Sequence, residues 1–126
     1  MSDKKLTIAV DFDGTLCEFA FPGIGEQRRS HKMLMSKLIQ LRNEGHKLIL
    51  WTNRGDNDEY PVLTEAVEWC RNKGLVFDAV NENLPNQNKL SGYSPKVMAD
   101  IYIDDRSLEF SETGSMERTL NYLNNI

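Results

Sequence analysis

The chain has 126 residues, 40% hydrophobic and 27% charged, a balance that supports one soluble core across residues 1–126 and excludes disordered and fibrous classes. A formal charge of -4, with basic residues scattered except for Arg28 and Arg29, provides no basic field for nucleic acid. Apolar runs such as 48–51 are far too short to span a membrane. Residues 1–5 lead straight into a strand without a signal-peptide pattern, and Cys17 and Cys70 form no C-x-x-C pair, so a cytoplasmic protein with free, partly buried thiols is expected.

Residues 6–10 are β-rich and stop at Asp11-Phe12-Asp13-Gly14, which predicts a buried first strand closed by a turn. Between 31 and 44, Leu34, Leu38 and Leu41 recur at helical spacing, with Ser30 placed to cap the start and Gly45 to end the helix. Residues 47–51 predict a second buried strand, closed by the loop Thr52-Asn53-Arg54-Gly55.

Pro61 suits a first helical turn, and Leu63, Ala66, Val67 and Cys70 then make the apolar stripe of a second helix ending at Gly74. A third strand is expected at 76–80, a long polar loop at 81–94, and a fourth strand at 99–103 that ends in Asp104-Asp105. Ser115 is placed to cap a last helix carrying Met116, Leu120 and Leu123. Strands alternating with helices in this way predict an α/β fold of three layers, a mostly parallel sheet with helices on both faces.

Ligands of such sheets bind beyond the carboxyl ends of the strands, and polar clusters fall at or near three of those ends: Asp11 and Asp13, Thr52 and Asn53, then Lys96 and Asp104-Asp105. Period-two alternation would turn Phe12 to the core and both Asp11 and Asp13 to one side. Carboxylates that close repel unless a cation or proton intervenes. Up to four of them, as hard oxygen donors, suit Mg²⁺. Thr52 offers a hydroxyl beside backbone N–H groups, and Lys96 a compact positive charge for a phosphate. Taken alone, each is an ordinary loop residue; their placement relative to the aspartates is what singles them out.

The segment Asp11-Phe12-Asp13-Gly14-Thr15 after an apolar strand resembles the first motif of the haloacid dehalogenase superfamily of phosphohydrolases. Leu50-Trp51-Thr52-Asn53 looks like the second motif, Ser94-Pro95-Lys96 the third, and Ile101-Tyr102-Ile103-Asp104-Asp105 the fourth, so the resemblance covers nearly the whole chain. It implies that Asp11 attacks phosphorus to give an aspartyl-phosphate. It further implies that Asp13 protonates the leaving oxygen and then activates water. Mg²⁺ would be held by Asp11, the Asp13 carbonyl and Asp104, with Asp105 acting directly or through water. Thr52, the Asn53 backbone N–H and Lys96 would hold the phosphoryl oxygens above Gly14. Lys96 stands nearer its strand than in many relatives, and Lys89 is the alternative; of the acidic residues that often follow the fourth motif, only Glu109 is nearby.

Neither inter-motif segment is long enough for a cap domain. The chain therefore resembles the capless members, whose open sites serve bulky or macromolecular phosphoesters or are closed by a second subunit of a homo-oligomer. The loop at 19–25, with Phe19 and Phe21, is a candidate rim or subunit contact, or else folds onto the core. Arg54 and Arg106 are candidates to reach an anionic substrate, against the blander alternative of solvated loop arginines. His31 and His46 flank the first helix and are assigned no chemistry. The rival functions are a receiver domain, whose acceptor aspartate would follow the third strand, and a degenerate relative that binds metal and phosphate without turnover.

Overall fold

The described residues of the computed structural model are 4–85, 97–104 and 115–126. Their elements run β1 (Thr7–Val10), α1 (Arg29–Asn43), β2 (Lys47–Leu50), α2 (Val62–Asn72), β3 (Ala79–Val80), β4 (Ile101–Ile103) and α3 (Ser115–Asn124). The strands form one parallel sheet in the order β3-β2-β1-β4, with Val10 level with Leu50 on one side and Ile103 on the other. This is a small, Rossmann-like, three-layer α/β fold.

Chain direction explains the layers. From β1 through β2 to β3 each step moves the same way, so right-handed crossovers put α1 and α2 on one face. Packing agrees: Ile8, Val10, Leu48, Leu50 and Ile103 meet Leu34, Leu38, Ala66, Cys70 and Leu123 from the three helices. Ala9, Ile49 and Ala79 on the opposite face meet Val97, with Leu84 and Ala99 against them. Among the described residues, the second face is covered by Leu84, Val97 and Ala99, which flank β3 and β4.

Helix ends differ in detail from the sequence expectation. α1 begins at Arg29, and its start is closed by His31, whose Nδ1 accepts the Arg28 N–H at 2.9 Å. Burial pushes the His31 imidazole below its usual range, which keeps it neutral and able to accept. Gly45 ends the helix at φ +102°, as its placement predicted. At α2 the N–H groups of Leu63 and Thr64 are received by the Asp56 carboxylate at 2.8 and 2.9 Å. The Thr64 hydroxyl donates to it too and, with these N–H bonds, holds that carboxyl below the ordinary range. His46 accepts the Leu6 N–H at 3.0 Å, so both histidines have structural roles. The capping role expected of Ser115 falls on a side chain outside the described set.

Two strands are shorter than expected. β3 starts at Ala79 because Asp78 turns its carboxylate back onto the sheet, where Oδ2 accepts the Leu48 N–H at 2.8 Å and Oδ1 receives Arg42 at 3.1 Å. β4 starts at Ile101 because Asp100 likewise accepts the Thr7 N–H, at 2.8 Å. No helix among the described residues is long and apolar enough to cross a membrane.

Both thiols lie in the helix-side core. Burial pushes Cys70 up to about 12 and raises Cys17 as well. A thiol reagent at pH 8 is therefore expected to modify neither cysteine until the chain is unfolded. Between pH 9 and 12 the unfolded chain releases the Cys70 proton while the folded one retains it, so the folded state binds more protons and stability declines as pH rises through that window. Urea midpoints across the range check this; prompt native-state labelling at pH 8 would contradict it.

Candidate active site

The strand register sets the geometry of the carboxyl edge. With Val10 level with Ile103, Asp11 and Asp104 are the next residues on adjacent parallel strands, whose backbones run about 4.8 Å apart. The Asp11 N–H donates to the Ile103 carbonyl at 2.9 Å and fixes this alignment. Ile8 and Val10 face the helices, so alternation turns Asp11 to the other face and returns Phe12 to the core, where it is fully buried. The same alternation after Ile103 places Asp104 on the side of Asp11. Both remain partly exposed. They flank the boundary at which the chain changes direction across the sheet, the position where open α/β sheets form their binding crevice.

Beneath them the Trp51 and Tyr102 rings lie 5.4 Å apart, tilted by 54°. Those residues stand on β4 and just beyond β2, so their rings meet across β1, where the small Ala9 leaves room. The Tyr102 hydroxyl donates to the Val97 carbonyl at 2.6 Å and accepts the Ala99 N–H at 3.2 Å. It fastens the return connection under the site.

Beyond Val10 the strand does not continue. Gly14 adopts φ +82°, and the N–H groups of Thr15 and Leu16 fold back onto the Phe12 carbonyl at 3.1 and 2.9 Å. The turn delivers Asp13 to Arg54. Nε and Nη2 of Arg54 donate to Oδ2 and Oδ1 of Asp13, each at 2.8 Å. Arg54 is 2% exposed and Asp13 9%. The rest of the guanidinium is also engaged: Nη2 donates to the Gly23 carbonyl at 2.7 Å, and Nη1 to those of Val62 at 3.0 Å and Pro22 at 3.4 Å. The group also stacks over Phe12 and Phe21, 4.9 and 5.2 Å from their ring centres.

Arg54 is therefore not a solvated loop arginine: every guanidinium nitrogen bonds to protein. The Asp13 carboxylate does not stand open beside Asp11 awaiting a cation, because a protein cation already holds both of its oxygens.

Thr52 follows Trp51 at the end of β2. Its hydroxyl accepts the Arg54 N–H at 3.2 Å, and its own N–H donates to Asn81 Oδ1 at 2.8 Å. Asn81 Nδ2 in turn donates to the Arg54 carbonyl at 3.2 Å. Asn81, just past β3, has φ +54° and brackets the turn that presents Thr52 and the exposed Asn53. Sequence reasoning treated Asn81 as loop; a polar residue tolerant of left-handed backbone directly after a strand was the available signal. Lys96, Lys89, Asp105, Arg106 and Glu109 lie outside the described residues.

Among the described residues no three His, Cys, Asp or Glu side chains gather as a metal-binding group. Among the described residues, the carboxylates of Asp11 and Asp104 and nearby main-chain carbonyls offer hard oxygen donors at the edge, a donor type that suits Mg²⁺.

Fold and edge together define a parallel α/β protein with an acidic site at its switch point. A solved structure, that of a conserved protein coded by a locus from Bacteroides thetaiotaomicron, is 37% identical to this chain with a TM-score of 0.77; the match covers 97% of this chain and 92% of that one. The chain belongs to the family of that conserved protein. No protein-family model matches the sequence, and no curated protein does.

Asn81 separates two contributions. Asn81→Ala loses both side-chain bonds and keeps a Cβ in the left-handed region, and is expected to lower unfolding free energy by about 1–2 kcal/mol. Asn81→Gly loses the same bonds but relieves the backbone, and should retain about 1 kcal/mol more than the alanine variant. Equal urea midpoints for the two would exclude the backbone contribution.

Proposed function

We propose that the protein is a Mg²⁺-dependent phosphohydrolase of the haloacid dehalogenase type, acting on phosphate monoesters through Asp11. The observation that carries this reading is the pairing of Asp11 with Asp104 on adjacent strand ends at the switch point, one strand from the Thr52 turn. Asp11 is the nucleophile: a carboxylate oxygen attacks phosphorus in line, the P–O ester bond breaks, and the aspartyl-phosphate is then cleaved by water. The Thr52 hydroxyl, the Asn53 N–H and Lys96 steady the phosphoryl oxygens. Asp11, Asp104 and the Asp13 carbonyl would hold Mg²⁺, with Asp105 direct or through water. Bound there, the ion supplies positive charge against the phosphoryl oxygens.

Asp13 serves the leaving oxygen and then the water. Arg54 takes one lone-pair site on each Asp13 oxygen, so a proton would be exchanged at the sites that remain. No cap domain intervenes among the described residues, and the open edge suits a bulky phosphoester or closure by a second subunit. We place the protein in the cytoplasm and assign it no nucleic-acid partner. The Asp13–Arg54 pair favours a second reading, a domain that binds metal and phosphate without turnover. A receiver role fits less well, because the acidic residues follow β1 and β4 rather than β3.

Phosphate release from p-nitrophenyl phosphate decides between these. Release that requires Mg²⁺, stops with EDTA and falls at least a thousandfold in Asp11→Asn is the expected outcome; near wild-type release by that variant would sink the nucleophile assignment. Asp13→Asn should accumulate a slowly decaying phosphoprotein. Phosphate binding without any release would establish the second reading.

A further inference from the structure

The loop at 19–25 is tied down at both ends of its span. At its base the Glu18 N–H donates to the Glu26 carbonyl at 2.8 Å, and Gly25 lies so close that a Cβ there would stand 2.0 Å from the Glu18 carbonyl oxygen. In its outer part the Pro22 and Gly23 carbonyls both accept from Arg54. Between these fastenings Phe19 and Phe21 present rings that are 60% and 50% exposed, and Phe21 covers the same guanidinium that grips Asp13. Asp13 and the aromatic rim share a partner, and that partner is buried.

We propose that Arg54 is a positioning residue that holds Asp13 and the rim loop as one unit. The carboxylate and the aromatic surface that meets the substrate's organic group are thereby set by the same guanidinium. The inference rests on the phosphohydrolase reading for its kinetic consequence, but not for the coupling itself. A guanidinium has donors in a fixed plane, so rotating it to follow one partner misaligns it for the others. Loss of the Asp13 carboxylate therefore loosens a loop for which no direct contact with that carboxylate needs to be invoked. The organic group best suited to this rim is apolar or aromatic, matching two ring faces beside a charged centre.

Two readouts test it on the full chain. Chymotrypsin under native conditions should cut after Phe19 at least tenfold faster in Asp13→Asn than in wild type, whereas Asp11→Asn should cut at the wild-type rate. Arg54→Lys keeps the charge but not the fork, and should show the same local acceleration; it decides the matter if Asp13→Asn is cut throughout the chain. On p-nitrophenyl phosphate Arg54→Lys should lower kcat at least tenfold with KM within threefold. Unchanged cleavage at the rim in both variants overturns the coupling, and a loosened loop with unchanged kcat overturns the positioning of Asp13. The cleavage assay needs no substrate, so an inactive wild type would refute the phosphohydrolase reading while leaving the coupling to be decided on its own.

Discussion

A carboxylate and a guanidinium buried together have given up water that neither can replace alone. Leaving either unpaired in the interior costs several kcal/mol, which is why such pairs persist only with matched geometry and with their remaining hydrogen-bonding groups satisfied. In this chain Asp13 and Arg54 meet that condition with two bonds of 2.8 Å, and the remaining donors find three main-chain carbonyls. Those carbonyls belong to the loop after β1 and to the first residue of α2. One side chain thus joins the turn after β1, the aromatic rim, the turn after β2 and the start of a helix, segments that have no regular secondary structure in common. The pair also sets the electrostatics of the edge: it offsets the negative charge of Asp13 within the acidic group.

The two faces of the sheet divide the work. The helix side carries the large aliphatic side chains and both thiols, and its dense packing gives the strands a rigid backing. The other side is smaller, built from Ala9, Ile49 and Ala79 under Val97, and the aromatic pair Trp51 and Tyr102 fills the space that alanine leaves. Asp11 and Asp104 emerge on this second side. Their alignment is a property of the β1–β4 register, with Asp11 held through its own N–H to Ile103. A one-residue slip of β4 would carry Asp104 to the helix face and separate the two.

Much of this was legible in the sequence where a residue's environment is set by its immediate neighbours. Leu34, Leu38 and Leu41 declared their helix face through spacing, Gly45 and Gly74 marked helix ends where the backbone takes positive φ, and the apolar run before Asp11 announced a buried strand ending in acid. The third and fourth strands came out shorter because Asp78 and Asp100 use side-chain oxygens to receive backbone N–H groups from neighbouring strands, a tertiary bond that no local pattern encodes. Arg54 was misplaced for the same reason. In sequence it is a polar residue in a turn, and only the fold brings Asp13, forty-one positions earlier, against it. The acceptance of the Arg28 N–H by His31 was hidden because helix-start periodicity does not reveal which side chain closes the turn.

The order of the strands in space has a consequence for synthesis. β1 is made first and pairs with β2 as soon as that strand emerges, since only α1 separates them. Its other neighbour is β4, whose residues lie more than ninety positions downstream. A nascent chain can therefore fold α1 and α2 onto three strands while the far edge of β1 is still bare, with Asp11 present and Asp104 not yet translated. Contacts this distant in sequence form late. The acidic pair is completed only once β4 has been translated, so a chain truncated before β4 would carry the Asp11 carboxylate without Asp104 beside it.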